Sequence, residues 1–530
     1  MLSRRALRAL LSRIGAENLG VLETSGVQAV ALIVLLVAIS VGVRTTALGG
    51  SFWIDEGISV GIAHHALSSI PHVLHQDGAP PLYYMLLHVW IALFGDSERA
   101  THALSLLFSL ACVPLAYWVG RPVFSRAVGI VCATLAALDP YLTYYGQETR
   151  MYTLAAALSF LITGAYIRGI VLSRRRWLPV LAISIDLVAL THNWGLFLAI
   201  GLGVATVALA RDRLRWDGLL VALGAGVIYV PWLPTLLKQA AHTGAPWTTS
   251  PNLHALVLAP GAVLAGDGPL MAFAVAGCAG LAIVMRGGGA QRSTIRLLAL
   301  AIAVTILVAW TGSQFTPAWT GRYLGVIVGP LLLLAAVGFV KVGRPGLVSF
   351  ILILFLWGGF SVKDEKSNAK AIAAATTPLL RPGDLILTTH PEQTPVLRYY
   401  FGPGFRYATT LGPVADPRVM DWRDALKRLK AATPAADIAL LAQLPPGQRF
   451  AVVAPVFRDY HAWDAPWTKL VYTTSNRWLA AISADRRFRQ VTVVRSDEIA
   501  TKKNYWKPLQ AFIFVRSSSI RAAAQGNTSR

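Results

Sequence analysis

Two carboxylates stand side by side in "SFWIDEGISVG", residues 51–61: Asp55 and Glu56. A carboxylate facing water can take a proton from an attacking hydroxyl. Asp77 follows in "HQDGAPPLYY", Gln147, Glu148 and Arg150 in "YYGQETRMY", His192 in "LTHNWG", and Arg322 with Tyr323 in "TGRYLG". An arginine can grip a phosphate through paired hydrogen bonds and stabilise it as it leaves. His64, His65, His72 and His75 crowd the stretch between Asp55 and Asp77. A divalent ion there is conceivable, but their spacing matches no standard site and surface histidines are the plainer reading. Singly, each group has a bland role. Glu148 and Arg150 suit a helix end, His192 a hydrogen-bonded structural position, and Arg322 a side chain reaching lipid phosphates.

The surrounding chain is strongly apolar. Its 530 residues are 55% hydrophobic and 14% charged, with mean hydropathy +0.54; a soluble chain carries about a quarter charged residues. The apolar residues come in blocks approaching the roughly 20 needed to cross a bilayer. This is the pattern of a polytopic α-helical membrane protein. Eleven spans are expected, near 26–44, 98–120, 127–144, 149–170, 177–193, 194–210, 217–235, 268–285, 294–310, 323–340 and 345–362. The basic start (Arg4, Arg5, Arg8, Arg13) leads into the apolar run 27–43 with no small-residue cleavage site after it, so it reads as a retained first span. With the N-terminus in the cytoplasm, the inner ends carry 18 Lys and Arg and the outer loops 5, a strong positive-inside bias. The odd span number puts everything after about residue 362 outside the plasma membrane. Much of the net charge of +22 is therefore topological, and no nucleic-acid partner is expected. Cys112, Cys132 and Cys278 all fall in apolar blocks and read as packed thiols.

Two apolar pieces do not fit as spans. Residues 57–70 place Ile58, Ile62, Ala66 and Ile70 at helical spacing and read as an interfacial amphipathic helix. Residues 80–94, "PPLYYMLLHVWIALF", are too short to cross and form a second interfacial helix; counting them as a span would invert every later loop and destroy the charge bias. The region 363–520 opens on a charged junction and alternates strand-like runs at 384–389, 450–456, 490–496 and 511–517 with helix-like stretches at 421–432 and 477–483. That alternation predicts a C-terminal extracytoplasmic α/β domain. It is basic, which suits an anionic lipid or polymer or a plain solvated surface. Residues 521–530 are expected to be a disordered tail.

On this layout Asp55, Glu56, Asp77, Glu148, Arg150, His192, Arg322 and Tyr323 all fall at one depth, the outer edge of the membrane. Ionisable groups near lipid are costly and usually mark a site. Asp186 is separate, near the middle of a span, and is expected to pair inside the bundle. A base, a phosphate-gripping arginine and an interfacial groove for a lipid tail together describe transfer of a group from a lipid phosphate to a hydroxyl. No nucleotide motif is present, which fits a donor already joined to lipid.

"WIDEG", "APPLYY" before "GDSERATHALS", "YYGQETRMYTL", "LTHNWGLFL" and "GRYL" resemble, in order and spacing over about residues 25–340, the family 39 glycosyltransferases, which include the protein O-mannosyltransferases and the aminoarabinose transferases of lipid A. The resemblance implies a GT-C fold over 1–362 and inverting transfer from a polyprenyl-phosphate sugar donor to a hydroxyl-bearing acceptor. Asp55 corresponds to the general base, with Glu56 orienting the acceptor or supporting it. Arg322, Tyr323 and Arg150 correspond to donor-phosphate binding. Asp77 takes a position near acceptor or metal, and Gln147, Glu148, His192 and His75 line the cavity. The family does not demand a metal ion, so no cofactor is required while a divalent metal stays possible. Asp139 in "LDPYLTYY" departs from the Asn or Ser expected there. A transporter or flippase of a lipid-linked precursor is the rival reading. Transporters usually show internal repeats and midplane polar groups; no repeat is evident here, and the polar groups, Asp186 apart, sit at one face. An oligosaccharide-transferring relative would need a peptide-acceptor signature, which the tail lacks.

Overall fold

The computed structural model describes residues 26–209, 212–362, 366–456, 464–495 and 508–517. The basic start and the expected tail at 521–530 lie outside these. Each of the eleven expected segments coincides with a helix. Among the described residues, seven helices are long and apolar enough to cross a membrane; Arg126–Leu138, Trp194–Leu209 and Arg344–Gly358 are apolar but shorter. One of the breaks has a clear cause. Asp139 caps a new short helix, Pro140–Tyr145, accepting from the Leu142 amide at 2.9 Å, with Pro140 at its first turn where a missing N–H costs nothing.

The bundle is built around two helices. In Tyr152–Val171 and Gly321–Val342, 89% of the apolar window is buried, against 17% for Gly26–Arg44. The enclosed helices deliver Arg150 and Arg322 at their ends. The peripheral helices instead expose Val27, Val34, Leu223, Val227 and Phe355, as a lipid-facing surface requires.

The loop after the first helix differs from expectation. Helix Ile54–Ala63 is buried at every residue except Asp55, so it does not lie on a lipid surface. It is clasped between the bundle and the C-terminal region. Residues 64–73 form only a turn, a 3-10 segment and the short helix Ile70–Val73. Helix Leu82–Phe94 does present an apolar face, with Leu86, Val89 and Leu93 exposed and Tyr83, Tyr84 and Leu87 buried.

The C-terminal region folds around a six-stranded sheet in the order β3-β2-β1-β4-β6-β5. The strands are β1 (Leu385–Thr388), β2 (Arg406–Thr409), β3 (Gly412–Val414), β4 (Arg449–Pro455), β5 (Phe488–Val494) and β6 (Leu509–Arg516). β1 runs parallel to β2 and β4, and the other pairings are antiparallel. β2 and β3 were not expected; each has four residues or fewer, set among glycine and proline. Alternate side chains enter opposite layers. Ile386, Ala451 and Val453 pack on the helices Ala369–Thr376 and Thr394–Phe401, while Leu385, Leu387 and Val452 pack toward Leu441, Trp478 and Ile482. Phe52 and Val60 of the first loop belong to the former layer, so the sheet and the loop share a core.

Two glycines make that junction possible. A Cβ on Gly57 would fall 2.5 Å from Val396 Cβ, and one on Gly61 would strike the Arg418 carbonyl. The four-residue spacing puts both on one face of the helix, and the C-terminal region lies directly on that face.

Candidate active site

The start of helix Ile54–Ala63 separates the two acids. Glu56 reaches back and accepts from the Trp53 amide at 3.3 Å, the carboxylate half of a capping box. It also accepts from the Thr149 amide at 2.8 Å and lies 2.6 Å from His102 Nε2, with Lys366 Nζ 3.8 Å away. Burial alone would raise its carboxyl. The Lys366 and His102 charges and the hydrogen bonds outweigh this and hold it at about 2. Glu56 has no path to the cavity and fixes the helix start instead.

Asp55, one residue earlier, turns into open space. Its Oδ2 accepts from Arg322 Nη1 at 2.7 Å, with Arg150 Nε 3.9 Å away. Arg150 Nη1 also donates to the Asp55 carbonyl at 3.2 Å and to Ser59 Oγ at 3.0 Å. Tyr141 donates to the Arg322 carbonyl at 2.6 Å, fixing that turn. The Nε atoms of both arginines are buried without a hydrogen-bond acceptor. Buried unsatisfied donors are rare and costly, and two guanidinium groups with donors to spare suit an oxyanion such as phosphate.

Asp55, Asp77, Glu148, Arg150, Arg322 and Tyr323 line one cavity of about 540 Å³. Glu148 accepts from the Trp53 indole at 2.5 Å. Burial raises its carboxyl; Lys366 opposes that rise, while Glu56 and Asp55 add to it. Burial also raises Asp77, against the pull of Arg150. A second cavity of about 370 Å³ adjoins the first and shares Asp77, Arg150, Trp247 and Tyr323 with it. Its further wall is more apolar, with Leu196, Phe197 and Leu236 from the bundle helices. His192 lines this second cavity, its ring 4.5 Å from that of Tyr323 and its Nδ1 accepting from the Trp194 amide at 3.1 Å. Arg150 thus lines both chambers and Arg322 the first, which is the more polar of the two.

Two expected cavity residues are elsewhere. Gln147 is buried, accepts from the Ala47 amide at 2.6 Å and donates to the Thr143 carbonyl; it braces the loop behind the site. His75 lines neither cavity and lies 3.1 Å from Thr235 Oγ1. Of the other loop histidines, His72 keeps its ring 5.2 Å from that of His75, while His64 turns toward Asp96 and His65 toward Asp416. Among the described residues no three His, Cys, Asp or Glu side chains are grouped to hold a metal ion. Asp186 also departs from expectation: its Oδ2 is buried with no hydrogen-bond partner beside an apolar cavity.

Sequence reasoning missed Lys366, His102, Trp53 and everything the C-terminal region supplies. Glu392, Trp422 and Thr468 all reach the first cavity. The only available hint for Lys366 was its place in a charged junction.

No protein-family model and no curated protein sequence matches the chain. Solved structures do. ArnT from Cupriavidus metallidurans bound to undecaprenyl phosphate superposes with TM-score 0.57 at 14% identity, covering 93% of this chain and 98% of that one. The same protein in the apo state gives 0.55 at 14% identity over 81% and 93%. The Archaeoglobus fulgidus oligosaccharyltransferase in the apo form gives 0.50 at 10% identity over 81% of this chain and 69% of that one. These are membrane glycosyltransferases of one architecture, and the chain has their GT-C fold.

Proposed function

We propose that the chain is a membrane glycosyltransferase that moves a sugar from a polyprenyl-phosphate carrier to an acceptor hydroxyl, with inversion. The observation that carries this reading is Asp55 held 2.7 Å from Arg322 in the first cavity, beside Arg150, which lines both cavities. ArnT, which shares the fold, binds undecaprenyl phosphate, and that supports the class of donor.

In this reading the donor's lipid enters by the apolar cavity and its phosphate engages Arg322 and Arg150. Arg322 holds the Asp55 carboxylate. A phosphate competing for that guanidinium leaves Asp55 open to the acceptor in the polar cavity. The acceptor oxygen attacks the anomeric carbon and passes its proton to Asp55. The bond from that carbon to the phosphate oxygen breaks, and the electron pair leaves on the phosphate, where the two arginines stabilise it. Inversion requires the acceptor oxygen to enter on the face of the sugar opposite the departing phosphate. Tyr323 and His192 shape the donor side, and Asp77 and Glu148 face the acceptor. The positive-inside bias puts this chemistry and the C-terminal region outside the cell. The transporter reading is less favoured, since the ionisable groups that line the first cavity gather at one end of the bundle.

Asp55→Asn in vesicles supplied with labelled polyprenyl-phosphate sugars tests the proposal. Transfer should fall by about 10²–10⁴-fold while lipid binding persists. Undiminished transfer would remove Asp55 as base. If wild type consumes no lipid-linked sugar with any acceptor, the enzyme reading itself fails.

A further inference from the structure

The wall of the polar cavity that the C-terminal region supplies has its own chemistry. In the sheet, β1 is parallel to both neighbours, β2 and β4. The helix Thr394–Phe401, which follows β1, packs on one face, and Pro434–Ala442, which precedes β4, packs on the other. Strands β1 and β4 therefore diverge at a topological switch point, where open α/β sheets bind ligands beyond the carboxyl ends of their strands. The residues just past β1 are buried His390 and Glu392, with His390 Nε2 2.5 Å from Glu392 Oε1. Glu392 lines the polar cavity.

Facing this edge is a platform of indole rings. Four of the chain's 16 tryptophans line the one cavity, a concentration that calls for a reason. Trp53 lies 5.7 Å from the Arg322 guanidinium and belongs to the donor end. Trp422 and Trp247 form a separate pair, with ring centroids 4.5 Å apart, and Trp467 backs Trp422 at 5.2 Å. The pair is assembled by docking: the Trp422 amide donates to the Gln76 carbonyl at 2.8 Å and the Trp467 amide to that of Pro246 at 3.0 Å. Thr248 and Thr468 add hydroxyls beside it. The Trp247 indole N–H is buried with no acceptor, although buried tryptophans usually find one.

We propose that this wall is the acceptor subsite and that the acceptor is a neutral saccharide. The inference rests on the glycosyltransferase reading. Indole faces match the apolar C–H faces of pyranose rings, and carboxylates and threonine hydroxyls match sugar hydroxyls. The charge that the described residues of the C-terminal region add to the cavity is net acidic, Glu392 and Asp464 against Lys366, and Lys366 is engaged by Glu56 and Glu148, which opposes a phosphorylated or uronic-acid acceptor.

The full chain in nanodiscs, titrated with neutral gluco-, manno- and galacto-oligosaccharides, tests this by intrinsic tryptophan fluorescence. Oligogalacturonate and a Ser/Thr-rich peptide serve as contrasting probes. At least one neutral oligosaccharide should bind and shift the emission. Trp422→Ala should weaken that binding about tenfold, as loss of an aromatic contact does, and Trp422→Phe should restore most of it while guarding against misfolding. Binding of the peptide or the polyanion alone, or binding indifferent to Trp422→Ala, overturns the proposal. Polyprenyl phosphate is titrated in parallel. If it binds and no saccharide does, the acceptor proposal falls and the transferase reading stands; if neither binds, both fall.

Discussion

At the scale of single residues, adjacent carboxylates have been given opposite lives by one turn of helix. Asp55 ends in a cavity against two arginines, and Glu56 ends in a closed network with His102, Thr149 and Lys366. Two predictions follow from the partners. Arg322→Lys keeps the charge and loses the planar fork that can serve Asp55 and a phosphate together. The quotient kcat/KM for donor should fall about 10²-fold, the usual cost of one lost oxyanion donor, as measured with saturating acceptor. The second concerns pH. The Glu56 carboxyl sits at about 2 in place of its ordinary 4.5. A depressed carboxyl stabilises the fold above its unfolded value and loses that contribution as pH falls toward the folded one. In the wild type this loss therefore runs between 4.5 and about 2. Lys366→Met deletes the opposing charge 3.8 Å away and brings the folded value back toward 4.5, so the acid-side loss of thermal stability should shrink and end at higher pH. A melting series across pH reads it directly, and an unmoved acid limb would sink the assignment.

At the scale of elements, the helix Ile54–Ala63 decides the architecture. Its isoleucines at helical spacing predict an apolar face, but periodicity alone does not say whether lipid or protein will cover it. Gly57 and Gly61 were the signal for protein, because lipid does not demand a bare backbone and a docked region does. Gly61→Ala should push the Arg418 carbonyl away and cost about 1–3 kcal/mol, as overpacking does. Protease sensitivity of the C-terminal region in nanodiscs should rise in step. Gly42→Ala, which meets nothing within 4 Å, is the control and should leave both readings unchanged. The same contrast explains which site residues were legible. Asp55, Glu148, Arg150 and Arg322 stand out because charge beside an apolar run is expensive wherever the chain goes. His102 lies inside an ordinary apolar helix, and Trp422 and Glu392 lie far along the chain. Their importance arises only when the sheet docks. β2 and β3 escaped notice for a related reason: strands of three or four residues carry too few alternations to show a period of two.

At the scale of the whole molecule, the fold joins a lipid-facing bundle to a sheet through one short helix, and the cavity lies where all three meet. Neither part closes it alone: Arg150 and Arg322 come from the ends of the enclosed bundle helices, Asp55 from the loop helix, and Trp422 and Glu392 from beyond residue 362. The charge distribution then fixes how the assembly should sit. Arg174, Arg175 and Arg176 cluster between two bundle helices at the end away from Asp55, and the positive-inside rule assigns such a cluster to the cytoplasm. Arg176 and Thr473 are both exposed, one at each pole. In a background with Cys278 replaced by alanine, Cys112 and Cys132 are buried and should stay silent to a membrane-impermeant maleimide. Thr473→Cys should then label in intact cells, and Arg176→Cys only after permeabilisation. The reverse pattern would place the cavity on the cytoplasmic side, and with it the supply of donor and acceptor, whatever chemistry Asp55 performs.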